Sequence, residues 1–204
     1  MLVTGGSRGI GAAIVLAAAP DYDVVVNYVG SAGAAAAVVA EAQALGAQAY
    51  AVQADVSDEA AVMSMFQGID ERFGRLDVLA NNAGIAGLYG TLETVTAAML
   101  NELWAVNVTG AFLCAREAAA RMRTDRSANG GRPGTGGSIV NISSKAAVLG
   151  GSGEWVHYAA SKGAIDTMTV GLAKELANVG VRVNGVRPGL IESDFHLHAP
   201  SGRV

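Results

Sequence analysis

Short β-branched runs that alternate with longer alanine-rich stretches predict a doubly wound α/β fold, a parallel sheet with helices on both faces. Two observations carry that prediction. Runs such as Val24-Val25-Val26 are apolar at every position, as strands covered on both sides must be. The stretches between them are long enough for helical crossovers, which should be right-handed. With 204 residues, the chain reads as a single domain over 1–204, large enough to fold without a disulfide or structural metal.

The elements follow in order. Met1–Thr4 is a strand stub, and a helix runs from about Ile10 to Ala19. Val24–Tyr28 is a second strand. Ser31 suits the N-cap of a helix reaching Leu45. Gln48–Ala54 is the third strand, and Ser57 or Asp58 suits the cap of a helix to Phe73, with Phe66, Ile69 and Phe73 at helical spacing. Leu76–Ala80 is the fourth strand, and two helical segments cover roughly Ala97–Arg123. Ser138–Ser143 is the fifth strand, Val156–Asn178 a helix and Val181–Val186 the sixth strand. The stretch 124–137 is rich in glycine, serine and arginine and reads as a mobile surface loop, with a basic binding loop as the alternative. The sequence stops at Val204 with no closing helix or strand, so the C-terminal part, from about 189 onward, is expected to be truncated.

Composition narrows the function classes. Charged residues are only 16% and apolar residues 51%, which argues against disorder. A net charge of −4 gives no electrostatic support for nucleic acid or an anionic membrane as partner. No apolar run is read as approaching the roughly 20 residues of a membrane span. The N-terminus lacks a secretion signal, and a lone cysteine, Cys114, suits a reducing, cytoplasmic setting. Glycine supplies 27 of 204 residues, above the roughly 7% of ordinary chains. It clusters at segment ends, where turns or backbone contact with a ligand need it.

Ligands of such sheets bind beyond the carboxyl ends of the strands. There the run Thr4-Gly5-Gly6-Ser7-Arg8-Gly9-Ile10-Gly11 joins the first strand to the first helix. Glycines at this place let a pyrophosphate approach backbone N–H groups at a helix N-terminus, where the dipole favours negative charge. An ordinary glycine-rich turn is the alternative. The second strand ends Val26-Asn27-Tyr28, without the carboxylate that would hold an NAD ribose. Arg8 offers a fork for a 2′-phosphate, and Asn27 and Ser31 offer neutral hydrogen bonds. NADP(H) is therefore expected over NAD(H). Asp55-Val56 after the third strand suits an adenine contact, although Asp55, like Asp58, also suits a helix cap.

The motifs TGGSRGIG at 4–11, DV at 55–56, NNAG at 81–84, NVTG at 107–110, NISS at 141–144, YAASK at 158–162 and RPG at 187–189 occur together. In order and spacing the chain resembles the short-chain dehydrogenases/reductases of the classical type, over nearly its whole length. Its likeness is to 3-oxoacyl-acyl-carrier-protein reductases and glucose dehydrogenases. The resemblance implies a Rossmann-like NAD(P)-binding domain. Gly5, Gly9 and Gly11 would line the pyrophosphate, Asp55 and Val56 the adenine, and Asn82, Ala83 and Gly84 the adenosine ribose. Ser144, Tyr158 and Lys162 would be catalytic, with Asn107 a fourth member linking the lysine to water. Pro188, Gly189, Ile191 and Ser193 would flank the nicotinamide; the family usually has Thr where Ser193 stands. A homodimer or homotetramer built on the helices of Asn107 and Tyr158 is also implied.

The chemistry fits these residue types. Carbonyl reduction builds negative charge on oxygen, which needs a proton donor and a hydrogen bond. Tyrosine, with a pKa of about 10, is a sluggish donor unless a nearby ammonium favours the phenolate. Tyr158 and Lys162 sit one helical turn apart, so Lys162 is expected to lower the Tyr158 pKa. Ser144 would hold the substrate oxygen, with Ser143 as rival. The substrate would lie among 85–89, 149–157 and the segment after Gly189. Trp155 and His157 there are either substrate contacts or loop packing. His196 and His198 lack a third ligand, so no metal site is expected. The leading function is NADP(H)-dependent reduction of a small-molecule carbonyl. Its alternatives are a sugar or polyol dehydrogenase and a non-catalytic dinucleotide-binding module.

Overall fold

A computed structural model of the chain describes residues 1–125, 127–129 and 132–191. Six strands form one parallel sheet in the order β3-β2-β1-β4-β7-β8. They are β1 (Leu2–Val3), β2 (Val24–Tyr28), β3 (Ala49–Gln53), β4 (Val78–Asn81), β7 (Gly137–Ile142) and β8 (Val181–Val186). Strand β1 pairs with both β2 and β4, so the chain winds outward one way, returns and winds the other way. That reversal leaves a crevice between the ends of β1 and β4.

The helices are α1 (Gly9–Ala18), α2 (Ala32–Ala44), α3 (Glu59–Phe73), α4 (Ala97–Trp104), α5 (Ala111–Met122), α6 (Ala146–Leu149) and α7 (Val156–Leu176). Asp58 caps α3, its carboxylate accepting from Ala60 and Ala61 N–H groups at 2.9 and 3.3 Å. Two apolar layers enclose the sheet. Val15, Val38 and Ala42 cover one face, and Phe66, Ile69, Cys114, Met122, Ile165 and Met168 cover the other. Arg121 ties α5 to α3 through Asp70 at 2.7 Å, and also pairs with Glu117 at 2.9 Å.

The structure departs from expectation in three places. The 124–137 stretch is not simply a loop. It contains an antiparallel pair, β5 (Ser127–Asn129) with β6 (Arg132–Pro133), and Gly134 and Gly136 donate backbone hydrogen bonds to Arg123 and Met122. Glycine here satisfies close packing beneath α5, which composition alone cannot distinguish from a floppy loop. Second, α4 and α5 are joined by a six-residue π segment, Ala105–Gly110. Third, the joined run Ala97–Met122 has 26 residues and holds an 18-residue stretch of mean hydropathy 1.2, so by length and composition alone it is long and apolar enough to cross a membrane. The expectation of no such run is corrected. In this fold α5 lies on the sheet and on α3, burying Cys114, Ala118 and Met122.

Candidate active site

At the reversal between β1 and β4 lies a cleft of about 800 Å³. Its first wall is the glycine turn. Gly5 takes φ +61°, which only glycine adopts freely. At Gly11 an added Cβ would come within 2.2 Å of the Gly5 carbonyl oxygen, so α1 packs directly on the turn. The buried Thr4 hydroxyl accepts from the N–H groups of Asn82 and Ala83 at 2.9 and 3.0 Å. The Asn82 amide returns two bonds, to the carbonyls of Thr4 (2.9 Å) and Gly5 (3.1 Å). Strand ends β1 and β4 are thus stitched at the floor of the cleft.

The first turn of α1, Gly9 to Gly11, lines this wall with Ser7 and Arg8. No side chain caps α1, so its leading N–H groups and dipole remain for an anion. Arg8 is exposed and forms no ion pair among the described residues. Tyr28 and Ser31 line the same end; Ser31 stands at the N-cap of α2 but makes no side-chain cap bond. These residues fit the diphosphate and ribose of a nicotinamide dinucleotide.

Asn27 does not join them as expected. It is 1% exposed, its amide donates to the Ala54 carbonyl at 2.9 Å, and its oxygen accepts from Gly5 N–H at 3.2 Å. It braces the turn from behind, because a buried amide must spend its hydrogen bonds internally. Asp55 lines the cleft, while the cap of α3 is Asp58; Asp55 instead accepts from the Ser57 N–H and hydroxyl. Val56 and Gly84 complete this side.

The opposite end gathers Ser144, Tyr158 and Lys162. Helix α7 is 21 residues long and places Tyr158 and Lys162 one turn apart at its start. The Ser144 side chain stands beside the Tyr158 hydroxyl, where it favours the phenolate, and it accepts from the Ala146 N–H at 3.1 Å. Ser143 is 3% exposed and donates to the Lys162 carbonyl at 3.1 Å, so its hydroxyl is committed inside. The Lys162 ammonium lies 5.7 Å from the Tyr158 ring centroid and donates to the Ile142 carbonyl at 2.8 Å.

The expected electrostatics need correction. Burial pushes the Tyr158 phenol above its usual range, opposed by the Ser144 hydrogen bond. Burial also draws Lys162 down to about 8, opposed by Asp166. Each group loses water, which disfavours phenolate and ammonium alike. Asn107, in the π segment, accepts from Ile85 N–H at 2.8 Å and donates to the Ile85 carbonyl (2.8 Å) and Ser161 hydroxyl (3.1 Å). It clamps the loop after β4 rather than bonding Lys162. A π segment at such a place re-aims one side chain out of helical register.

A family model described as short chain dehydrogenase matches residues 1–202. The chain belongs to the short-chain dehydrogenases. An uncharacterized oxidoreductase of Escherichia coli, YgfF, is 50% identical over 205 residues, covering 100% of this chain and 81% of its own length. The 3-oxoacyl-acyl-carrier-protein reductase FabG of Staphylococcus aureus is 40% identical over 95% of this chain and 75% of its own. A short-chain dehydrogenase of Burkholderia cenocepacia, solved with NADP, matches with a TM-score of 0.86 and 40% identity, over 95% of this chain and 75% of that one. The protein is thus an NAD(P)-dependent oxidoreductase.

In this short-chain dehydrogenase, Pro188, Gly189 and Ile191 line the same cleft as Ser144 and Tyr158, as does Trp155. His157 does not; it is buried behind the wall. Ser193, His196 and His198 lie outside the described residues. Sequence reasoning gave no role to Thr4 or Ser161, nor to Lys145, which lines the cleft. Thr4 preceding the glycines was the available signal for the first. Ser161 accepts from Asn107 and donates to the Tyr158 carbonyl at 2.7 Å, a pairing visible only once α4 to α7 are packed.

Proposed function

We propose that this enzyme reduces a small-molecule carbonyl with NADPH, Tyr158 giving the proton. The observation that carries this is the grouping of Ser144, Tyr158 and Lys162 in the same cleft as the uncapped N-terminus of α1. Bound dinucleotide supplies the hydride. As the carbonyl carbon is reduced, charge collects on its oxygen, and the Ser144 hydroxyl donates a hydrogen bond there. The raised pKa keeps the Tyr158 phenol protonated at neutral pH, so it is ready to transfer its proton to that oxygen. Lys162 then holds positive charge beside the resulting phenolate. Gly5, Gly9 and Gly11 would carry the diphosphate, and Pro188, Gly189 and Ile191 would border the nicotinamide. The same groups run in reverse oxidise an alcohol.

Preference for NADPH is supported by exposed Arg8 and half-buried Ser31 in the cleft and by the lack of a carboxylate at the end of β2. Arg8→Ala should raise the KM for NADPH about tenfold and leave that for NADH unchanged; a wild-type preference for NADH contradicts it. Exposed Trp104, Phe112 and Val170 on the helices that carry Asn107 and Tyr158 support a homodimer or homotetramer. The lone, buried Cys114 supports a cytoplasmic enzyme. The deciding test is NADPH oxidation across ketones, sugars and 3-oxoacyl thioesters, the last chosen from the name of the FabG relative. Turnover of at least one class is expected; none, with NADPH bound, overturns the proposal.

A further inference from the structure

Immediately before Tyr158 stands His157, a titratable side chain that the reaction does not use. It is 5% exposed, and among the described residues neither ring nitrogen has a hydrogen-bond partner of good geometry, although the backbone of Ala86 and Leu88 lies beside it. The ring lies under the loop 85–90. At Gly87 an added Cβ would fall 2.9 Å from the His157 Nε2 and 3.2 Å from its Cδ2. Gly87 also takes φ +74°, so the loop backbone rests directly on the imidazole. The loop is fixed at both ends. Asn107 clamps Ile85 through two bonds of 2.8 Å, and Gly90 N–H donates to the Glu154 carbonyl at 2.9 Å. Between these ends Tyr89 meets Trp155 edge-on, with centroids 5.0 Å apart. Ile85 and Trp155 both face the cleft.

We propose that His157 is a positioning residue for the carbonyl substrate: its ring props the middle of the 85–90 loop against Trp155 and so sets the width of the substrate end of the cleft. This rests on the reductase proposed above, with the carbonyl lying between Tyr158 and this wall. The prop works only as neutral imidazole. Burial draws the His157 pKa below its usual range, although the backbone of Ala86 and Leu88 favours the charged form. The titratable groups on the elements around it are Tyr89 in the loop, Glu102 on α4, Glu154 before α7, and Tyr158 and Lys162 on α7. Acidification therefore places a charge in a poorly solvated site under the loop, and water that enters to solvate it parts the loop from the ring. The wall carrying Trp155 loosens, while the dinucleotide end, built on β1 and α1, is untouched.

The test compares wild type with His157→Gln, which stays neutral, and with Gly87→Ala, which presses on the ring from the loop side. At neutral pH both variants should raise the KM for the carbonyl about tenfold, with NADPH affinity within about twofold of wild type. Below about pH 6 the wild-type carbonyl KM should climb, and His157→Gln should abolish that climb. A second readout needs no turnover. The chain has two tryptophans, so in Trp104→Phe the emission of Trp155 should shift on acidification and stay flat when His157→Gln is added. Equal KM values, or Trp155 emission that ignores either pH or the substitution, overturn the inference. Wild type that binds NADPH yet reduces no carbonyl sinks the reductase reading instead, and the emission titration still decides the prop.

Discussion

The hydroxyl of Ser143 donates to the Lys162 carbonyl, whereas that of Ser144, one residue on, meets the Tyr158 hydroxyl. Their side chains serve different partners, so the two serines have separable effects. Ser144→Ala should lower kcat by about 10²-fold, and Ser143→Ala should instead cost about 1 kcal/mol of stability. Steady-state kinetics and thermal melts on both variants distinguish them; a larger kcat loss at Ser143 reverses the assignment. Lys162 yields a pH prediction. Its pKa falls from 10.5 unfolded to about 8 folded, so its neutral form is favoured by folding. That stability is present in full above 10.5 and is lost as pH falls to about 8. The Tm of wild type relative to Lys162→Met should rise from pH 8 to 10.5, and a flat difference contradicts the shift. Sequence made the tyrosine, lysine and glycines legible, because their spacing is itself the geometry. Asn27 was not legible, since its burial depends on β3 arriving beside it.

At the scale of elements, α1 and the turn before it form one unit. A methyl at residue 11 would meet a backbone oxygen, which cannot swing aside. Gly11→Ala should therefore displace α1 and weaken NADPH binding by at least about tenfold, measured by the fluorescence change of NADPH on binding; unchanged affinity contradicts this packing. Most strands and helices could be read from apolar periodicity, and the α3 start from its aspartate. The π segment could not, because the sequence Ala105–Gly110 continues a helical pattern without a marker. Nor could the β5–β6 pair, because the glycines that follow it, Gly134 and Gly136, look the same in a loose loop and in a packed turn.

For the whole molecule, the strand order fixes everything else. Because β1 lies between β2 and β4, the dinucleotide turn and the loop after β4 share one crevice, and β7 and α7 bring Ser144 and Tyr158 to its far end. Sequence motifs foretold that convergence, but not its electrostatics: the balance between burial and charge at Tyr158 and Lys162 is set by packing from several elements at once. The most direct measurement is single-turnover reduction of a carbonyl by enzyme preloaded with NADPH, wild type against Tyr158→Phe. The rate should drop by about 10³-fold with NADPH affinity unchanged. Reduction by Tyr158→Phe at close to the wild-type rate would contradict the proton transfer on which the proposed function depends.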